Sequence, residues 1–144
     1  MIDRTRQPAY ALHAVVFLLD RAAEGILPEL GLTYSRFLTL LTIERLGGAT
    51  QRSIAEALAV TEPSASRAIR GLQDAGLVVA EAVPGTGNRR VVTLTDKGQR
   101  VVDEAADHLE RSFASLLDHA GLARADVLAI TDPLLRALSE GEGS

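Results

Sequence analysis

Arg89 and Arg90 stand side by side in the stretch AVPGTGNRRVVTLTDKG, residues 82–98, and no acidic residue occurs between Glu81 and Asp96. Paired guanidinium groups without a local carboxylate suit an anion, because each presents a planar fork of donors that keeps its charge. Pro84, Gly85 and Gly87 are turn residues, so the pair sits with Asn88 at the tip of a short hairpin. A second group precedes it. Between Thr61 and Ala75, Arg67 and Arg70 share a side with Ser66 and Asp74, while Ala65, Ala68, Ile69 and Leu72 recur at i, i+3, i+4 and i+7. At about 100° per residue these are opposite faces of one helix, with Ser64 at the boundary near its start. Small hydroxyls permit close approach, and an Arg beside them can bond guanine O6 and N7 or neutralise a phosphate. A third group, Gln51, Arg52 and Ser53, opens an earlier short helix, whose free N–H groups and positive dipole end favour a phosphate.

Each group alone also fits an ordinary solvated surface. Together, in the order helix, helix, hairpin, they point to double-stranded DNA: the second helix in a major groove and the arginine-bearing tip in a minor groove. Rival chemistries lack their residues. There is no cysteine, so thiolate metal sites and redox switches are excluded, and His13, His108 and His119 have no metal-ligand spacing. The "GTG" in the turn lacks the Lys-Ser/Thr of a phosphate loop. No nucleophile–base pair is present, so the chain is expected not to be an enzyme and to need no cofactor.

The elements that position these groups are mostly helical. Pro8 to about Gly25 forms an apolar helix, with Leu12, Val15, Val16 and Leu19 in one stripe. Thr33 caps a helix to about Leu46, which Gly47-Gly48 ends. Thr50 opens a short helix through Leu58, and Thr61 caps the next, with Pro63 in its first turn and Gly76 at its end. The strands LVVAEAV and RRVVTL follow, joined by PGTGN. Thr95 and Asp96 start a helix to about His119, Gly121 breaks it, and a last helix begins near Arg124. Pro133 is expected to kink or split that helix, with Asp132 capping the second piece. Two short helices followed by a hairpin make a helix-turn-helix with a wing.

Composition narrows the class further. The chain has 144 residues, 47% of them apolar, with three Phe, two Tyr and no Trp, so its core is built from Ala, Leu, Val and Ile. The longest apolar run, Ala14 to Leu19, is far short of the roughly 18 residues of a membrane span, and a soluble cytoplasmic protein with no membrane partner is expected. The net charge is −4, but it is unevenly placed. Residues 51–100 carry seven basic and five acidic side chains, and residues 101–144 carry three and nine. Attraction to DNA must come from the middle of the chain.

From about Leu32 to Gly98, the segments LTYSRFLTLLTIERLGG, TQRSIAEALAVTEPSASRAIRGLQDAGLV and GNRRVVTLTDKG resemble the MarR (multiple-antibiotic-resistance regulator) family of winged-helix transcription factors. The last resembles the family's wing motif, Asp-x-Arg leading into Leu-Thr and Gly, with Asn88 in place of the aspartate. The resemblance implies a mainly α (α+β) fold: one domain over 1–144, a winged helix-turn-helix lobe at about 33–98 with a two-stranded wing, and dimerisation helices at about 8–30 and 99–138. It implies a dimeric regulator, expected to repress from a pseudo-palindromic operator until a small-molecule effector relieves it. A winged-helix interaction module without DNA binding is the alternative. The DNA-binding residues would be Gln51, Arg52, Ser53, Thr61, Ser64, Ser66, Arg67, Arg70, Asn88, Arg89 and Arg90. Ser64, Ser66 and Arg67 match recognition-helix positions that face bases, and Arg90 matches the wing arginine. An effector cleft would draw on His13, Phe17, Tyr34, Phe37 and Phe113. Apolar stripes independently suggest the homodimer, notably Val101, Val102, Ala105, Ala106, Leu109, Phe113, Leu116 and Leu117.

Overall fold

The computed structural model describes residues 1–87 and 89–141. Among them, six α-helices and a two-stranded sheet follow in the order α1 (Pro8–Ile26), α2 (Tyr34–Leu46), α3 (Gln51–Leu58), α4 (Glu62–Asp74), β1 (Val78–Ala82), β2 (Arg90–Leu94), α5 (Asp96–Ala120) and α6 (Arg124–Gly141). The starts of α2, α3 and α4 are set by threonine side chains. Thr33, Thr50 and Thr61 each accept a hydrogen bond through Oγ1, from the amides of Arg36, Ser53 and Ser64 at 3.1, 3.1 and 3.3 Å. Each such cap contributes about 1 kcal/mol by satisfying an amide that has no intrahelical acceptor. Between α3 and α4, Ala59 takes the left-handed conformation at φ 54, a strained choice for a residue with a side chain.

The chain divides into two compact units, residues 1–106 and 107–144. The first unit holds the core: Leu27, Leu40, Ile43, Ile54, Leu72 and Val102 are each no more than 1% exposed. They come from a short 3-10 turn (Leu27–Leu30), α2, α3, α4 and the beginning of α5. The buried Thr39 and Thr42 of α2 donate to the carbonyls of Ser35 and Leu38, four residues back, so neither hydroxyl is left unpaired. The hairpin pairs Val78 with Leu94 through to Ala82 with Arg90. Ala49 joins it from the other side, exchanging both backbone hydrogen bonds with Val92.

The apolar stripe of α1 does not face this core. Leu12, Val15 and Val16 are 44–53% exposed, and Ala23 is the buried residue of the helix. In the second unit, Leu117 of α5 is buried, Gly121 turns the chain at φ 71, and α6 contains no buried residue among those described. Pro133 neither splits α6 nor gives it a second start at Asp132: the helix runs from Arg124 to Gly141 with the proline inside. A missing N–H frees one carbonyl a turn earlier, and on so exposed a helix water can satisfy it.

The open end of the hairpin is also clamped to α4 and α5. The Thr95 amide donates to the Leu77 carbonyl at 3.0 Å, and the Thr95 hydroxyl donates to the Gly76 carbonyl at 2.6 Å. Lys97 Nζ donates to the Ala75 carbonyl at 3.0 Å. Gly98 then packs so closely that a Cβ there would lie 2.0 Å from the Leu77 oxygen. Because that oxygen is backbone, relief requires movement of the join itself. Gly98→Ala is therefore expected to destabilise the chain by at least about 1–3 kcal/mol. A lowered urea midpoint would register it, and an unchanged midpoint would refute the close approach.

Candidate nucleic-acid interface

The start of α3 and the base of the wing form one surface. Thr50, Gln51 and Arg52 line an open hollow together with Arg89 and Arg90. Three guanidinium groups thus converge on the amino-terminal end of a helix, where unpaired amides add their own positive potential. The Val83 amide donates to the Arg89 carbonyl at 3.0 Å, and the Thr86 hydroxyl donates to the Val83 carbonyl at 2.7 Å, which shapes the turn before the arginines. Both wing arginines are exposed. Asn88 lies outside the described residues.

The second helix continues the surface. Gln51 Nε2 donates to the Glu62 carbonyl at 3.4 Å, tying the start of α3 to the start of α4. Thr61 Oγ1 donates to Ser64 Oγ at 3.0 Å, and Arg67 Nη2 donates to the same oxygen at 3.3 Å. Thr61, Ser64 and Arg67 therefore stand as a connected polar row on the first turns of α4. Arg70 is exposed further along the helix, and Ser66, one turn before it, is half-buried. Arg52 Nε pairs with Glu56 Oε1 at 3.3 Å, the ion pair found among the described residues. Both partners are largely exposed, so the pair is weak and leaves Arg52 available to a stronger anion.

Some expected contacts have other employment. Ser53 is half-buried, and its hydroxyl lies 2.9 Å from that of Thr50, so it helps build the cap. Phe37 is 5% exposed and belongs to the core. His13 and Phe17 are exposed on α1. Phe113, in the second unit, lines a small hollow with Glu110, Arg111, Ala114, Leu117 and Arg124. Tyr34 donates its hydroxyl to Asp20 Oδ1 at 2.7 Å, joining α2 to α1. Residues unread in the sequence also matter here. Lys97, together with the Thr95 hydroxyl, secures the carboxyl-terminal end of α4, and the sole local signal was the Leu-Thr-x-x-Gly pattern.

The MarR family model matches residues 30–87, which hold α2, α3, α4 and most of the hairpin turn. A Mycobacterium tuberculosis relative, the HTH-type transcriptional repressor Rv2887, is 29% identical over 108 residues, covering 75% of this chain and 78% of its own. A Staphylococcus aureus MepR variant bound to an oligodeoxyribonucleotide superposes with a TM-score of 0.65 at 22% identity, covering 93% of this chain and 97% of that one. S. aureus MarR in complex with salicylate and kanamycin superposes at 0.76 with 15% identity, over 96% and 95% of the two chains. The structural matches establish the winged-helix fold. Among the described residues no helix is long and apolar enough to cross a membrane, and no cluster of three or more potential ligands could hold a metal ion.

Burial, the hydrogen bond to Asp20 and the negative charges of Asp20 and Glu24 push the Tyr34 phenol up to about 12 from its ordinary 10.0. A folded pKa above the unfolded one gives stability that is complete below pH 10 and lost as the pH rises towards 12. The wild-type chain should therefore lose stability over pH 10–12 more steeply than Tyr34→Phe. Denaturant midpoints of the two chains across that window check this, and parallel curves would refute it.

Proposed function

We propose that this chain is a member of the MarR family and a sequence-specific DNA-binding transcription regulator that acts as a two-fold dimer. One observation carries the reading. The wing arginines, the start of α3 and the Thr61–Ser64–Arg67 row make a basic edge in which only Arg52 has an acidic partner among the described residues. Such an edge is complementary to a phosphate backbone. With α4 in a major groove, Ser64 and Arg67 reach base edges and Arg70 reaches the backbone, while Arg90 enters the adjacent minor groove. Arg52 and the α3 amides hold a phosphate between these two contacts.

The dimer rests on unmatched apolar surface. Phe17 and Leu18 of α1 are 61% and 62% exposed, and Leu135 and Leu138 of α6 are 61% and 68% exposed. A second copy would bury such stripes, and two-fold symmetry would then offer two copies of α4 to two half-sites about 34–36 Å apart. Repression follows from occupancy of an operator, in keeping with the repressor relative. A small-molecule effector, as in the salicylate-bound neighbour, would shift DNA affinity only by its own differential affinity for the two states.

Arg67→Ala should relax sequence preference and cost about 1–3 kcal/mol through a lost base contact, whereas Arg90→Ala should weaken binding to all sequences. Binding titrations on a duplex selected from a random pool, set against single-base variants, separate the two effects. The wild-type affinity should fall steeply with salt, and Arg90→Ala should make the log–log slope shallower by roughly 2 for a dimer, at about 0.9 per contact. A flat slope for the wild type would overturn the DNA-binding reading.

A further inference from the structure

We propose that Arg36, which lies outside both the helix-turn-helix pair and the wing, is a further phosphate contact of the DNA-binding face; the proposal rests on the function put forward above. Arg36 sits in the first turn of α2 and is half-buried. Its Nη2 lies against α4 at Gly71, 3.3 Å from where a Cβ at that position would stand. Beyond the adjoining residues and the backbone of α4 itself, it is the one group found within 4 Å of that point among the described residues. Gly71 is inside the helix, where glycine is less favourable than alanine by about 1 kcal/mol. Its lack of a side chain makes room for the guanidinium.

The charge there is left without a partner. Neither Arg36 nor Arg67 forms an ion pair among the described residues, and the Arg36 guanidinium makes no hydrogen bond to any of them. Gly71 is four residues beyond Arg67, about 6 Å along the axis and about 40° around it, so Arg36 packs from α2 onto the flank of α4 that carries Arg67. The nearest acid along that helix, Asp74, pairs with neither. Arg67 turns back to Ser64 while Arg36 stands at Gly71, so the two positive groups are spread along that flank with no acid paired to either. An anion laid along that flank would meet both. When a helix lies in a major groove, its flanks face the groove walls, and those walls are phosphate. Arg67 would then reach the base edges while Arg36, reaching across from α2, holds the adjacent strand.

The test uses the full chain and a duplex selected by the wild type from a random pool, titrated at several salt concentrations. Arg36→Ala and Arg36→Gln should each make the log–log salt slope shallower by about 2 for a dimer. Arg36→Lys should keep the wild-type slope, because it retains the charge. Thermal unfolding of the same variants reports on the fold. A loss of affinity with an unchanged slope, or a lowered melting temperature with unchanged binding, would make Arg36 a packing residue of α4 and overturn the proposal. Unchanged affinity and slope in all three variants would overturn it too, while leaving the wing and α4 contacts intact. A wild-type chain that selects no duplex at all would remove this proposal together with the function on which it rests.

Discussion

The carbonyl of Leu77 meets three constraints within a few ångströms. It accepts the Thr95 amide, it abuts the Cα of Gly98, and it follows directly on the Gly76 carbonyl that the Thr95 hydroxyl holds. The end of α4, the open ends of the hairpin and the first turn of α5 are therefore one rigid knot. A two-stranded ribbon is marginal in water by itself, so the hairpin depends on such anchors. The bridge between Ala49 and Val92 supplies the second anchor, from the segment that leads into α3. The hairpin is thus joined to α4 and to the start of α3 by backbone hydrogen bonds, with the Thr95 hydroxyl and Lys97 Nζ securing the end of α4, and no arginine is used in these joins.

Much of this was legible locally. Threonine before an apolar-periodic run marked the starts of α2, α3 and α4, and each proved to carry a side-chain cap. Glycines marked the helix ends, and the Pro-Gly-rich turn fixed the hairpin and hence its arginines. The unread parts depend on contacts between residues far apart in the chain. Periodicity established that α1 has an apolar face but not what covers it, and its Leu12, Val15 and Val16 point away from the core. The place of Arg36 depends on a glycine 35 positions later that happens to lie beneath it. Pro133 was read as an interruption because proline removes a backbone bond, yet the helix closes around that loss. The place of Ser53 at a helix start is legible, but not that its hydroxyl lies beside that of Thr50.

The electrostatics follow the same division between local and global. The whole chain carries a net charge of −4, and the excess of acid lies after residue 100, where nine acids face three basic side chains. In the arginine-bearing surface almost nothing is neutralised internally; the pair Arg52–Glu56 is exposed and weak. A surface built this way repels its own like charges in isolation and becomes favourable against a polyanion.

The outward stripe of α1 has a cellular consequence. Whenever a protomer is alone, Val15, Val16, Phe17 and Leu18, each more than half exposed, stand in water. In the proposed dimer that stripe would be covered, so solitary copies would offer quality-control machinery an apolar handle that paired copies would hide. Clearance would fall hardest on newly made or dilute protomers, and survival would improve as their number grew. Abundance would then respond to synthesis with a threshold: a small fall in production would empty the pool disproportionately, before any signal molecule is involved.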